Sequence, residues 1–101
     1  MKPQERDELM QKLMAEDLAL CQKKGADYSP EDDCLANLKE FGLPGIVVRL
    51  SDKFARLKNL VLSGKNPENE SILDTLQDIR IYCYLAEILV KGGENHERNK
   101  P

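Results

Sequence analysis

Tryptophan is absent, histidine occurs once and cysteine three times in 101 residues, and these shortages close off several kinds of chemistry at the outset. The one histidine, His96, lies in a polar tail, so the folded part holds no histidine for a catalytic triad or a proton relay. Cys21, Cys34 and Cys83 are widely spaced, odd in number and without a C-x-x-C pair, which suggests neither a disulfide framework nor a zinc site. They read as reduced, small core residues. No apolar run approaches the roughly 18 residues needed to cross a bilayer, and the N-terminus is polar and charged, so the expected location is the cytoplasm, with no membrane partner. An excess of positive charge is missing too. With 15 basic and 18 acidic residues the net charge is −3, which leaves no global field for a nucleic-acid polymer, and no basic and aromatic patch offers it a platform. Gly64-Lys65 lacks the first glycine and the following hydroxyl residue of a P-loop.

What remains is a composition suited to a helical globule, 41% hydrophobic and 33% charged. The size fits a single domain, placed at 1–93, followed by a polar tail at 94–101. No stretch alternates like a half-buried strand, and four helical segments can be marked by their caps and breakers, so the expected class is all-α, a four-helix bundle-like domain. The first helix is expected from Pro3 to Lys24, with Leu9, Leu13 and Leu20 on its apolar stripe and Gly25 ending it. Ser29-Pro30-Glu31-Asp32 has the chemistry of a second helix start, and that short helix should end near Phe41 and Gly42. A third helix from Pro44 to Leu62 carries Ile46, Leu50, Phe54, Leu57 and Val61 at spacings of three and four, an expected buried seam. Beside it Arg49, Lys53 and Arg56 project from one flank. After Ser63-Gly64-Lys65-Asn66-Pro67, a fourth helix should run from Glu68 to Lys91 and stop at Gly92-Gly93.

In this last helix Glu70, Asp74 and Asp78 recur every fourth residue and so share one face. Ile81, Leu85 and Ile88 continue the same azimuth, which suggests that the acids turn inward. Ile72, Leu76, Ile79, Cys83, Ala86 and Val90 form a second apolar stripe, and a helix apolar on two sides is central to a bundle or covered by a partner, hence an expected homodimer or higher oligomer. Three gathered carboxylates repel and lose hydration, so they need a cation or basic partners. Two readings stay open. Mg²⁺ takes oxygen ligands and is commonly held by a couple of carboxylates with substrate phosphates. Alternatively, Glu70 and Asp74 favour the helix N-terminus while Asp78 pairs with Arg49, Lys53 or Arg56. Asp52 lies four residues before Arg56 and suits either a ligand or a surface ion pair.

Several of these residues fall into an ordered series. It consists of Lys24, Asp27-Tyr28, Asn37, Phe41-Gly42, Gly45, Arg49, Asp52-Lys53, Arg56 and Asn59, then Glu70-Ser71, Asp74-Thr75, Asp78 and Tyr82. Over about 24–89 the chain thereby resembles the nucleotide modification associated domain 1 proteins, a small group common in phages and bacteria whose activity is not established. Those proteins look distantly similar to the all-α nucleoside triphosphate pyrophosphohydrolases, helical oligomers in which paired acids on two helices hold magnesium. Such enzymes show E-x-x-E followed by E-x-x-D, where this chain has E-x-x-x-D-x-x-x-D. The resemblance implies a nucleotide or deoxynucleotide ligand, with Mg²⁺ on Asp74 and Asp78 together with Glu70 or Asp52. It also implies that Arg49, Lys53 and Arg56 neutralise phosphate, and that Asp27, Tyr28 and Asn37 close the base or loop end. Bland roles stand beside these: Tyr28 as a core lid, Asp27 as a turn acceptor and Asn37 in a helix-to-loop hydrogen bond. A nucleotide-binding protein, in one form a Mg-dependent pyrophosphohydrolase, is thus expected, with a non-catalytic oligomerisation or adaptor module as the alternative.

Overall fold

The computed structural model describes the backbone of residues 1–28, 36–64 and 70–98, and the side chains of 1–23, 39–64 and 71–92. The fold is all-α, and the described residues form three helices where four were expected: α1 (Pro3–Tyr28), α2 (Ala36–Leu62) and α3 (Glu70–Arg98). No strand occurs among the described residues. The chain divides into two compact units, Met1–Cys34 and Leu35–Pro101.

In the first unit, α1 starts where its sequence says it should. Pro3 occupies the first helical position, where its missing N–H costs nothing. Arg6 N–H closes the first turn on the Lys2 carbonyl at 3.1 Å, and Glu5 reaches back to the Lys2 N–H at 3.5 Å, half of a capping box. The expected end at Gly25 is corrected, since α1 runs through it to Tyr28. Glycine inside a helix costs about 1 kcal/mol relative to alanine, and this lowers helix stability without forcing a stop. Leu9, Met10, Leu13 and Met14 of α1 are exposed, and Asp17 is buried.

In the second unit, the segments expected as separate second and third helices are joined end to end within α2. Gly42 bends it with φ 64° and ψ −162°, a region open essentially to glycine alone. Pro44 then stands in the first turn after the bend, where it starts a helical run rather than breaking one. No loop is needed. Gly45 has its own constraint, because a Cβ there would lie 2.7 Å from the Cβ of Phe41, so the bend closes only around a bare backbone. The expected second-helix start at Ser29-Pro30 lies outside the described residues. At its far end α2 closes with Ser63 N–H on the Asn59 carbonyl (3.0 Å) and Gly64 N–H on the Val61 carbonyl (3.3 Å). Gly64 takes the positive φ of 77° that such a C-terminal cap demands.

α2 packs against α3. Lys53 and Asp78, placed at nearly equal distances from the turn, meet at 2.9 Å, which makes the pair an antiparallel hairpin. Ile46 of α2, towards the end far from the turn, and Ile72 of α3, close to the turn, are both buried. Thr75, at 2% exposure, is tolerated because its hydroxyl donates to the Ser71 carbonyl one turn back at 2.6 Å. The expected buried seam of α2 is corrected in part, since Phe54 and Val61 are exposed while Ile46 is buried and Leu50 and Leu57 are half-buried. Only the sector of α2 facing α3 is covered, and the seam is wider than that sector. The expected stop of α3 at Gly92-Gly93 is also corrected, for the same reason as at Gly25: the helix continues to Arg98, into the span expected as a tail. Among the described residues no helix is long and apolar enough to cross a membrane.

Candidate functional site

On one side of the hairpin, Arg49, Asp52, Lys53 and Arg56 of α2 and Tyr82 of α3 line an open cleft of about 310 Å³. The α2 residues come together because spacings of three and four keep side chains on one flank, just off the sector that meets α3. Lys53 lies nearest the contact line, half-buried, and its ammonium reaches the Asp78 carboxylate across the helices. Arg49, Asp52 and Arg56 stand further out and are exposed. Among the described residues neither arginine has a carboxylate partner within ion-pair distance. Three cations therefore face two carboxylates, Asp52 and Asp78, of which Asp78 is already engaged.

Those two arginines give the cleft its chemistry. A guanidinium offers a planar fork of N–H donors that matches phosphate or carboxylate oxygens two at a time, and it is never deprotonated in this setting. With an aromatic ring on the opposite wall, the cleft is complementary to a small anion that carries an aromatic or sugar group.

Asp74 and Asp78 of α3 differ in exposure. Asp74 is exposed, Asp78 is half-buried at the cleft's edge, and Tyr82 lies within the cleft. Four residues advance a helix by one turn and about 40°, so a row taken every fourth residue slides around the axis. Asp74 starts that row on the solvent side, Asp78 reaches the rim and Tyr82 arrives at α2. The expectation that these acids point inward as a group is thus corrected for Asp74, and Ile88, further along, is half exposed.

Glu70 opens α3, but its side chain lies outside the described residues, as do those of Asp27, Tyr28 and Asn37. Among the described residues no group of three or more histidine, cysteine, aspartate or glutamate side chains is placed to hold a metal ion. Of the expected Mg²⁺ ligands, Asp78 is ion-paired with Lys53, Asp52 lines the cleft and Asp74 is exposed. Tyr82 is the site residue that the spacing argument passed over. Its signal was present in the sequence as the next step of the Asp74, Asp78 row.

Comparison of the chain with protein-family models, with curated proteins and with solved structures finds no match.

Proposed function

We propose that the α2–α3 cleft binds the phosphate group of a nucleotide or deoxynucleotide, with Arg49 and Arg56 as the principal donors and Lys53 adding charge at the inner wall. The observation that carries this reading is the pairing of two arginines that lack an ion-pair partner among the described residues with Tyr82 in one open cleft. Unpaired guanidinium groups at a concave surface are best satisfied by an oxyanion, and the Tyr82 ring supplies a face for the organic part of the ligand. The resemblance to the nucleotide modification associated domain 1 proteins sets the class of anion, and with it a setting in nucleotide metabolism or modification. Homo-oligomeric assembly belongs to the same reading, as the way a helix apolar on two sides completes a bundle.

Hydrolysis is a further step that this reading does not require. Asp52 is the carboxylate in the cleft wall without an ion-pair partner among the described residues, and a Mg²⁺ there would depend on the substrate's own phosphates for most of its ligands. A thermal-melt assay with a panel of deoxynucleotides and inorganic pyrophosphate, each with Mg²⁺ and with a chelator, tests the proposal. A ligand that binds the native state raises the melting temperature. The expected result is a rise with triphosphates that survives chelation and is lost in Arg49→Ala/Arg56→Ala. Absence of any rise, or a rise that the double variant leaves intact, would contradict it. Release of pyrophosphate from a bound triphosphate would extend the function to catalysis.

A further inference from the structure

The cleft has a direction. Because α2 and α3 run antiparallel through the Lys53–Asp78 pair, a step toward the start of α2 corresponds to a step toward the end of α3. Arg49 lies four residues before Lys53 and Tyr82 four residues after Asp78, so this arginine and the ring stand at one level. Arg56 stands at the other end, about 10 Å along the axis from Arg49 at 1.5 Å per residue, and within about 20° of it around the helix. Level with Arg56 on α3 is Thr75, which is buried and whose hydroxyl is spent on the Ser71 carbonyl of its own helix. The lining therefore pairs a cation with an aromatic ring at one end and sets a cation without a ring at the other.

Charge is unevenly spread between these ends. Asp52, Lys53 and Asp78 belong to the middle level, where one cation meets two carboxylates. A single phosphate centred there is attracted by Lys53 and repelled by both acids. A chain of phosphates that extends past this level gains the Arg56 guanidinium, whose fork takes two oxygens of one phosphate. Asp74, one turn before Asp78, is exposed and lies outside the cleft lining.

We propose that the cleft reads the length of a nucleotide's phosphate chain, with the base on Tyr82, the first phosphate between Arg49 and Lys53, and the terminal phosphate of a di- or triphosphate on Arg56. This rests on the phosphate-binding reading above and adds to it a direction and a class, nucleoside di- and triphosphates in preference to monophosphates. The reverse direction is disfavoured, because it sets the base beside Arg56, where α3 supplies no ring, and the terminal phosphate beside Tyr82.

Isothermal titration in the presence of a chelator tests this, with the mono-, di- and triphosphate of one deoxynucleoside and with inorganic tripolyphosphate. The full-length protein should bind the triphosphate about tenfold more tightly than the monophosphate, the worth of one hydrogen-bonded charge. Arg56→Ala should cut that preference to about twofold, whereas Arg49→Ala should weaken all three nucleotides by a similar factor and keep it. Tyr82→Leu should weaken the nucleotides several-fold more than tripolyphosphate. A flat series in the parent protein, or a preference that survives Arg56→Ala, would overturn the proposal while leaving phosphate binding in place. Equal weakening of nucleotides and tripolyphosphate in Tyr82→Leu would overturn the position of the base. Binding of no nucleotide at all would overturn this proposal together with the reading it rests on. Tyr82 is half-buried, so if Tyr82→Leu does not fold, the parent protein supplies a substitute readout. A nuclear Overhauser effect from the assigned Tyr82 ring protons to the base protons of the bound triphosphate supports the direction, and a bound triphosphate without it refutes it.

Discussion

Replacing Asp78 by asparagine removes a charge from the edge of the cleft while keeping the shape of the side chain and a hydrogen-bond acceptor for Lys53. The carboxylate lies 2.9 Å from the Lys53 ammonium, with the two side chains 30% and 33% exposed. An ion pair that wet contributes only about 0.5 kcal/mol to folding, so Asp78→Asn should fold and melt within a few degrees of the parent. Its effect on an anion should be larger and of opposite sign. A phosphate bound over Lys53 sits about 5 Å from Asp78, and unit charges at that distance repel by about 1 kcal/mol in the dielectric of bulk water, a lower bound for this open cleft. Removing the repulsion should tighten pyrophosphate or triphosphate roughly fivefold in the presence of a chelator. The gain should shrink as salt is added, since the cleft is open and screening reaches it. Isothermal titration of the two proteins measures this directly. Weaker or unchanged binding in Asp78→Asn would refute the reasoning, and loss of a strictly Mg²⁺-dependent binding would recast Asp78 as a metal ligand.

Other consequences concern the frame that holds the cleft. Gly42→Ala forces a side chain into φ 64°, ψ −162° and should lower stability by about 2 kcal/mol in urea titration, whereas a gain would show that the bend is not rigid. Gly45→Ala should cost about 1 kcal/mol, although helix propensity alone predicts a gain of similar size, because the new Cβ meets the Phe41 Cβ at 2.7 Å. Glu87 accepts a 2.6 Å hydrogen bond from Lys91, and this bond, followed by the lysine's charge, holds its carboxyl below the usual range against a weak opposing effect of burial. A carboxyl whose folded value is depressed stabilises the protein above its unfolded value, and the contribution disappears as the pH falls through the folded one. Lys91→Ala should therefore move the Glu87 titration upward in a carbon-detected NMR experiment, and an unmoved curve would remove the ion pair from the account.

Helix type was legible along the described residues, and so was the basic flank. Arg49, Lys53 and Arg56 are close enough in sequence that helical geometry alone fixes their common side. Helix ends were less legible. Gly25 and Gly92 lie inside helices, while Gly42 and Gly64 adopt positive φ, and residue identity alone does not separate the two cases. At Gly64 the Ser63 hydroxyl on the Leu60 carbonyl and the two backbone bonds close the turn. The acidic row was harder again. Glu70, Asp74 and Asp78 share a face only to within the drift of an every-fourth-residue row, and that drift separates an exposed carboxylate from one at the cleft. Which part of a wide apolar stripe is buried depends on where the neighbouring helix lies, which explains why Phe54 is exposed while Ile46 is buried.

The most direct test of the anion-binding cleft is a two-dimensional amide NMR titration of the full-length protein with inorganic pyrophosphate in the presence of a chelator. Saturable shifts concentrated at Arg49, Asp52, Lys53, Arg56 and Tyr82 are expected. Shifts that do not saturate, or that gather on residues away from this cleft, would contradict it.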